Sequence, residues 1–310
     1  MPAYSVLPRP RRAIVFLLCL VLAACSSNPL RPSDEPVAPV VVPAPVVVKP
    51  EAKPARLGLA LGGGAARGFA HIGVIQVLEE QGIKVDLVAG TSAGSLVAAL
   101  YAAGKNGREM AALAEAMDEG AITDWAIPTR GLIRGEALAR YVRDKTGNKL
   151  IEQMVMPLGI VATDLSDGSA ILFRSGDTGA AVRASSSVPA VFQPVKIGTR
   201  EYVDGGLVAP VPVRFARQMG AELVIAVDIT SPPEEKPGSD AVRMLLQTFS
   251  IMGSSINNYE LRDADVVLRP KLDNVGSADF SARRRAIQAG REAALAALPL
   301  IRARISAKSH

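Results

Sequence analysis

Apolar positions in this chain follow two rhythms that alternate across residues 56–298: short unbroken runs, and longer stretches with helical spacing. Residues 56–61 (RLGLAL), 85–89 (VDLVA), 158–162 (LGIVA), 170–173 (AILF), 223–227 (LVIAV) and 265–268 (DVVL) read as strands, and 201–203 (EYV) as a shorter one. Residues 69–81 (FAHIGVIQVLEEQ) have helical spacing up to Gly82, and residues 95–103 (SLVAALYAA) up to Gly104. Further helices are predicted at 211–219, 240–257 and 281–298, and a helical insertion at 107–147. That insertion holds Trp125 and reads either as a lid or substrate platform or as surface packing on the core. The alternation predicts an α/β fold of three layers, helices on both faces of a mainly parallel central sheet, with no internal repeat.

Upstream of residue 57 the pattern changes twice. Arg9, Arg11 and Arg12 precede an apolar stretch at 13–24. About a dozen residues cannot cross a hydrocarbon layer of roughly 30 Å, so residues 1–24 read as a signal peptide. Leu22-Ala23-Ala24-Cys25 resembles the cleavage motif of bacterial lipoproteins, which makes Cys25 the lipidated first residue of the mature chain; the alternative is a chance cysteine. Ser26 in place of aspartate implies, by the same resemblance, sorting to the outer membrane of the cell envelope. Cys19 lies in the removed segment, so no disulfide is expected. Residues 25–56 interleave Pro, Val and Ala, and proline spoils a strand by removing donors. A polyproline-like tether reaching on the order of 90 Å is the better reading, leaving residues 57–310 as one large domain.

Candidate chemistry begins with Gly90-Thr91-Ser92-Ala93-Gly94, a G-x-S-x-G segment between a predicted strand and a predicted helix. In that context small residues at Gly90 and Gly94 permit a tight turn that exposes the Ser92 hydroxyl above a helix N-terminus. An ordinary βα turn is the alternative. Upstream, Gly62-Gly63-Gly64-Ala65-Ala66-Arg67-Gly68 follows another strand. Backbone N–H groups of Gly63 and Gly64 can approach an oxyanion closely there. A phosphate loop is the competing reading, but the Lys-Ser/Thr end of a nucleotide-binding loop is missing.

The general base is constrained by scarcity. The chain has two histidines, His71 in the helix after the glycine loop and His310 at the last position, so no histidine stands where a Ser-His-Asp order needs one. His71 reads as a packing residue or a base. Asp204, followed by Gly205 and Gly206 in a turn that exposes its carboxylate, is the remaining candidate, with a plain hairpin turn as the alternative.

Together GLALGGGAARGFAHIGVI (58–75), GTSAG (90–94), RASSSVPAVFQPV (183–195) and DGG (204–206) resemble the bacterial patatin-like phospholipases, in family order and spacing. The resemblance implies the patatin-like form of the α/β/α fold, Ser92 as nucleophile and Asp204 as its partner in a Ser-Asp dyad. It also implies an oxyanion loop of Gly63, Gly64, Ala65 and Arg67, with Ala65 where many members carry a third glycine; Arg67 would steady the loop or attract an anionic head group, the alternative being a solvated arginine at a helix start. Residues 183–195 read as part or support of an acyl pocket. Thr163-Asp164 and Asp228 read as turn-capping or supporting residues.

Charge excludes more than it suggests. The formal +5 falls to about +2 without the three signal-peptide arginines, and aromatics make up 4%, which argues against a nucleic-acid groove. Arg283-Arg284-Arg285 reads as a solvated helix start or a contact for anionic head groups. No Cys/His cluster points to a metal, and no cofactor or nucleotide is expected. The expectation is a membrane-tethered serine lipid acyl hydrolase acting on phospholipid or lysophospholipid esters. The alternatives are a thioesterase or general carboxylesterase, and a catalytically idle lipoprotein that binds lipid or an envelope partner.

Overall fold

The computed structural model describes residues 54–118, 120, 124, 130–231 and 240–308. Its spine is an eight-stranded sheet built around the apolar runs: β1 (Leu57–Leu61), β2 (Leu87–Thr91), β4 (Leu158–Asp164), β9 (Leu223–Val227) and β10 (Val266–Leu268). These lie parallel in the order β10-β9-β1-β2-β4, as expected for near-continuous apolar strands covered on both faces. Antiparallel strands β8 (Arg200–Asp204) and β7 (Val195–Ile197) continue the order, and β5 (Ala170–Phe173) pairs with β4.

Successive strand residues face opposite layers, and the two layers differ in size of side chain. Leu57, Leu59, Leu61, Val88, Ile225 and Val227 meet α1 (Phe69–Glu80), α2 (Ala93–Ala102) and α8 (Arg283–Lys308). Ala60, Ala89, Val224 and Ala226 meet α6 (Val213–Gln218) on the other side. The remaining helices are α3 (Gly107–Ala116), α4 (Glu136–Lys145), α5 (Thr178–Ser185) and α7 (Ala241–Glu260). Residues 51–310 form one compact unit, and the described core lies within it, so the unit contains what it needs to fold alone.

Two sequence expectations change. The stretch 107–147 is not wholly helical, because β3 (Gly131–Ile133) lies in it and pairs with β6 (Ala190–Phe192) in a separate two-stranded sheet. Trp125 lies outside the described residues. The last helix also runs past Leu298 and through Pro299 to Lys308. A proline inside a helix costs about 3 kcal/mol, but Ile301 is fully buried beyond it, and Leu298 and Ile305 pack on the core. Burial of such side chains returns roughly 1.5–3 kcal/mol each, which is enough to carry the helix through.

Candidate active site

Between β2 and α2 the chain turns at Ser92, which has φ 52° and ψ −125°. This left-handed conformation is costly for a serine and persists only where its surroundings hold it. The holding groups are visible. Ser92 N–H donates to Ser185 Oγ at 2.8 Å, Ser185 Oγ donates to the Val161 carbonyl at 2.5 Å, and Ser95 Oγ donates to the Ser92 carbonyl at 2.6 Å. Gly94 makes the turn fit, because a Cβ there would stand 2.2 Å from the Leu61 carbonyl oxygen. At Gly90 a Cβ would stand 2.5 Å from the Gly94 carbonyl oxygen.

Strand register brings Asp204 to this turn. Residues 160 and 161 of β4 pair with both β2 and β5, and residues 162 and 163 with both β5 and β8. A strand residue has only two edges, so β2 and β8 share the edge opposite β5. β2 ends with Thr91 against Val161, and β8, running the other way, ends with Asp204 against Ala162. The two strand ends therefore abut, and the residues at their tips meet. Ser92 Oγ donates to Asp204 Oδ2 at 2.7 Å.

The carboxylate is held at every side. Asp204 Oδ1 accepts the Gly206 N–H at 2.7 Å, its own N–H donates to the Ser187 carbonyl at 3.0 Å, and its carbonyl accepts Thr163 Oγ1 at 2.8 Å. Gly205 permits the junction: a Cβ there would lie 2.2 Å from the Val161 carbonyl oxygen. Burial pushes the Asp204 carboxyl up to about 6, against the smaller opposing pull of the Ser92 and Gly206 hydrogen bonds. An aspartate so placed is ionised at neutral pH yet more basic than in water, as proton transfer from a serine requires.

The glycine loop borders Ser92, but its residues divide differently from the sequence expectation. A Cβ on Gly63 would sit 3.1 Å from Ser92 Cβ, so Gly63 leaves the space beside the hydroxyl open. Its amide is not a free donor, because it is spent on the Pro210 carbonyl at 2.9 Å; strand pairing of the loop to the β8–α6 connection outweighs its availability. The Gly64 and Ala65 amides, at the start of a single 3-10 turn (Ala65–Gly68), have no protein acceptor among the described residues. Ala65 holds φ 49°, the conformation the family's usual glycine adopts without cost.

Of the readings open for Arg67, the structure supports the one in which it steadies the loop. Its backbone N–H donates to the Gly64 carbonyl at 3.1 Å, and its buried guanidinium turns away, to Ser231 Oγ and to the Thr230 carbonyl at 3.0 Å. Burial lowers its pKa, opposed by the nearby Asp228 and Asp273 carboxylates. Arg67 therefore fastens the loop and neither donates to an oxyanion nor faces a head group.

His71 is fully buried, with Nε2 2.8 Å from the Gly62 carbonyl, and burial lowers its pKa to about 4. A neutral ring with its Nε2–H on that carbonyl supports the glycine loop from below. Asp164 binds Arg200 and caps Ser166 N–H, and Asp228 caps the turn to Thr230. Arg283 holds the carbonyls of Ala114 and Met117, while Arg284 and Arg285 make exposed pairs with Glu115 and Asp279, as in a solvated helix start. Cys25 lies outside the described residues. A cavity of about 320 Å³ lined by Glu79, Lys84, Asp86 and Tyr101 lies at the opposite ends of β2 and β4 and touches none of the site.

Sequence reasoning missed Ser185, the serine that grips the elbow. The only signal was its place in the RASSSVPAVFQPV block, where one small polar residue among three serines has no distinguishing mark before folding. Pro210, the partner of Gly63, carried no signal at all.

Comparison with known proteins then decides the family: residues 59–217 match the model described as patatin-like phospholipase. The chain belongs to this family. One uncharacterized NTE family protein of Mycobacterium tuberculosis is 39% identical over 202 residues, covering 64% of this patatin-like chain and 55% of the relative. A second from the same organism is 34% identical over 269 residues, covering 78% and 46%. Patatin-like phospholipase domain-containing protein 6 of Mus musculus is 36% identical over 188 residues, 57% of this chain and 14% of that protein. The chain thus spans about half the length, or less, of the curated relatives it matches. The crystal structure of VipD from Legionella pneumophila shares the fold, with TM-score 0.51 at 14% identity over 80% of this chain and 67% of that one.

Proposed function

We propose that this patatin-like protein is a serine lipid acyl hydrolase of the phospholipase A or lysophospholipase type, working through a Ser92-Asp204 dyad. The observation that carries the reading is the 2.7 Å hydrogen bond from Ser92 Oγ to Asp204 Oδ2 at a strained elbow beside a glycine loop with free amides. Asp204 takes the hydroxyl proton as Oγ attacks the ester carbonyl, and the Gly64 and Ala65 amides, with the N-terminus of α2, receive the oxyanion. Collapse transfers the acyl group to Oγ, and the proton on Asp204 goes to the departing alcohol. Water then attacks the acyl-enzyme, Asp204 takes its proton, and the released Ser92 oxygen recovers that proton as the fatty acid leaves. Phospholipid or lysophospholipid as substrate follows from the family's described activity. Signal-peptide cleavage and lipidation at Cys25 would hold the enzyme at the envelope, most simply on the outer membrane, with residues 26–56 as tether.

The deciding experiment is intact-protein mass after treatment with a long-chain fluorophosphonate. A single adduct mapping to Ser92, absent from Ser92→Ala, supports the reading. A folded protein that takes no adduct, and turns over neither phospholipid, thioester nor short ester, would instead be a lipid-binding member of the family.

A further inference from the structure

One helix is left largely uncovered by the fold. α7 runs from Ala241 to Glu260, yet its buried residues are Gly253, Asn257 and Glu260, and no position in 241–252 is buried. Met244, Ile251 and Met252 are 62%, 50% and 44% exposed, and Tyr259 is 69% exposed. Between Arg243 and Glu260 the helix has no charged residue. A helix facing water ordinarily carries charge on its outer side, and so many exposed large apolar side chains on one uncharged helix mark a contact.

The distribution of these residues identifies the contact. At about 100° per residue, Met244 lies about 200° around the axis from Val242, and Ile251 about 140° from Leu246. All four are exposed. A groove on another protein covers one side of a helix, whereas hydrocarbon covers whatever enters it. The other end of α7 is fixed to the site. Gly253 packs on Pro210, whose carbonyl holds the Gly63 amide. Asn257 Nδ2 stands 3.5 Å from Thr230 Oγ1, and the Thr230 carbonyl holds Arg67 of the glycine loop.

We infer that α7 is the element by which this protein enters the surface of a zwitterionic lipid bilayer, its exposed apolar residues lying among acyl chains while its other end packs on residues that hold the glycine loop beside Ser92. The inference rests on the lipid acyl ester reading of that site. It supplies what that reading lacks, a means of bringing a nearly buried serine to esters packed in a bilayer. Among the described residues no helix is long and apolar enough to cross a membrane, so the contact is with the surface layer.

The test is flotation of the 51–310 unit with phosphatidylcholine vesicles, for the native sequence, for the triple variant Met244→Ser/Ile251→Ser/Met252→Ser, and for Ser92→Ala. The native unit and Ser92→Ala are expected to float equally and with little dependence on salt. The triple variant, with unchanged thermal midpoint and circular dichroism, is expected to partition about 100-fold less, as loss of several apolar side chains from lipid requires. Flotation undiminished in the triple variant, or absent from the native unit, would overturn the inference. So would a unit that sediments as a dimer and is split by the triple variant, which would assign the face to a second copy. Failure of the hydrolase reading would appear separately, as no adduct at Ser92 in a unit that still floats.

Discussion

Ser92 and Asp204 are hydrogen-bonded at 2.7 Å because β2, which ends one residue before Ser92, and β8, which ends in Asp204, meet head to head on one edge of β4. The geometry thus derives from strand register and does not depend on flexible loops finding each other. Ser92 sits on a helix N-terminus, Asp204 on a glycine turn, and the Val161–Ala162 step of β4 sets the spacing between them. A site on strand tips is held more rigidly than one on loops, and the Gly206 N–H on Asp204 Oδ1 fixes the carboxylate that the proposed dyad would use.

If Asp204 is the base as proposed, its raised pKa sets the pH dependence of turnover. The carboxylate must be ionised to accept the serine proton, so kcat/KM on a soluble short ester is expected to rise with pH to a plateau, with its midpoint at about 6. Asp204→Asn should lower the plateau by about 10²–10⁴-fold. His71→Ala, if folded, should keep the midpoint and retain substantial turnover, its plateau falling far less than that of Asp204→Asn because only support of the glycine loop is lost. A pH–rate profile for the three proteins checks this, and a midpoint that vanishes with His71 would reassign the base.

Two buried groups pull stability in opposite directions with pH. His71 is lowered from 6.5 to about 4, so its contribution is complete above 6.5 and is lost as pH falls toward 4. Asp204 is raised from 3.8 to about 6, so its contribution is present below 3.8 and is lost as pH rises through 6. Across the shared window the two offset each other. Asp204→Asn removes one of them: it is expected to be more stable than the native protein by about 1–3 kcal/mol at pH near 8, and to lose stability more steeply on acidification. Urea unfolding at several pH values measures both slopes, and parallel curves would mean that burial does not raise the Asp204 pKa.

Ser185 is expected to act on the chemistry by positioning Ser92. Ser185→Ala strands the buried Ser92 N–H and Val161 carbonyl, at a cost of about 1–3 kcal/mol, and frees the elbow to relax. A displaced nucleophile should lower kcat up to about 100-fold with KM little changed. Steady-state kinetics at a temperature where the variant is fully folded separates the two effects, and an unchanged kcat would reduce Ser185 to a packing residue.

Adjacent glycines after Asp204 should respond differently to alanine. A Cβ on Gly205 meets the Val161 backbone oxygen at 2.2 Å, and neither strand can yield, so Gly205→Ala should cost about 3 kcal/mol or more. On Gly206 the nearest atom is Asp204 Oδ1 at 2.9 Å, the end of a side chain that can rotate. Gly206→Ala should therefore keep its thermal midpoint within a few degrees and lose activity. Thermal denaturation alongside ester turnover tests the pair, and the reverse ranking would show that the close contact lies elsewhere.

Much of this protein was determined by local sequence. Short unbroken apolar runs bounded by turn residues fit strands covered on both faces, and they placed β1, β2, β4, β9 and β10 within a residue or two. Gly90 and Gly94 around Ser92, and Gly205 after Asp204, marked turns too tight for a Cβ, and those contacts are visible in the fold. The shortage of histidine pointed to a carboxylate base before any geometry was known. Tertiary structure decided what depends on partners far along the chain. Ser92 and Asp204 are 112 residues apart, and only the shared edge of β4 joins them. The Gly63 amide is spent on Pro210 and Arg67 turns toward Thr230 and Ser231, because a backbone donor or a long cation takes whichever partner the folded neighbourhood offers. Pro299 lies inside a helix for the same reason: residues beyond it find a core to bury in, and a local penalty of about 3 kcal/mol is smaller than that gain.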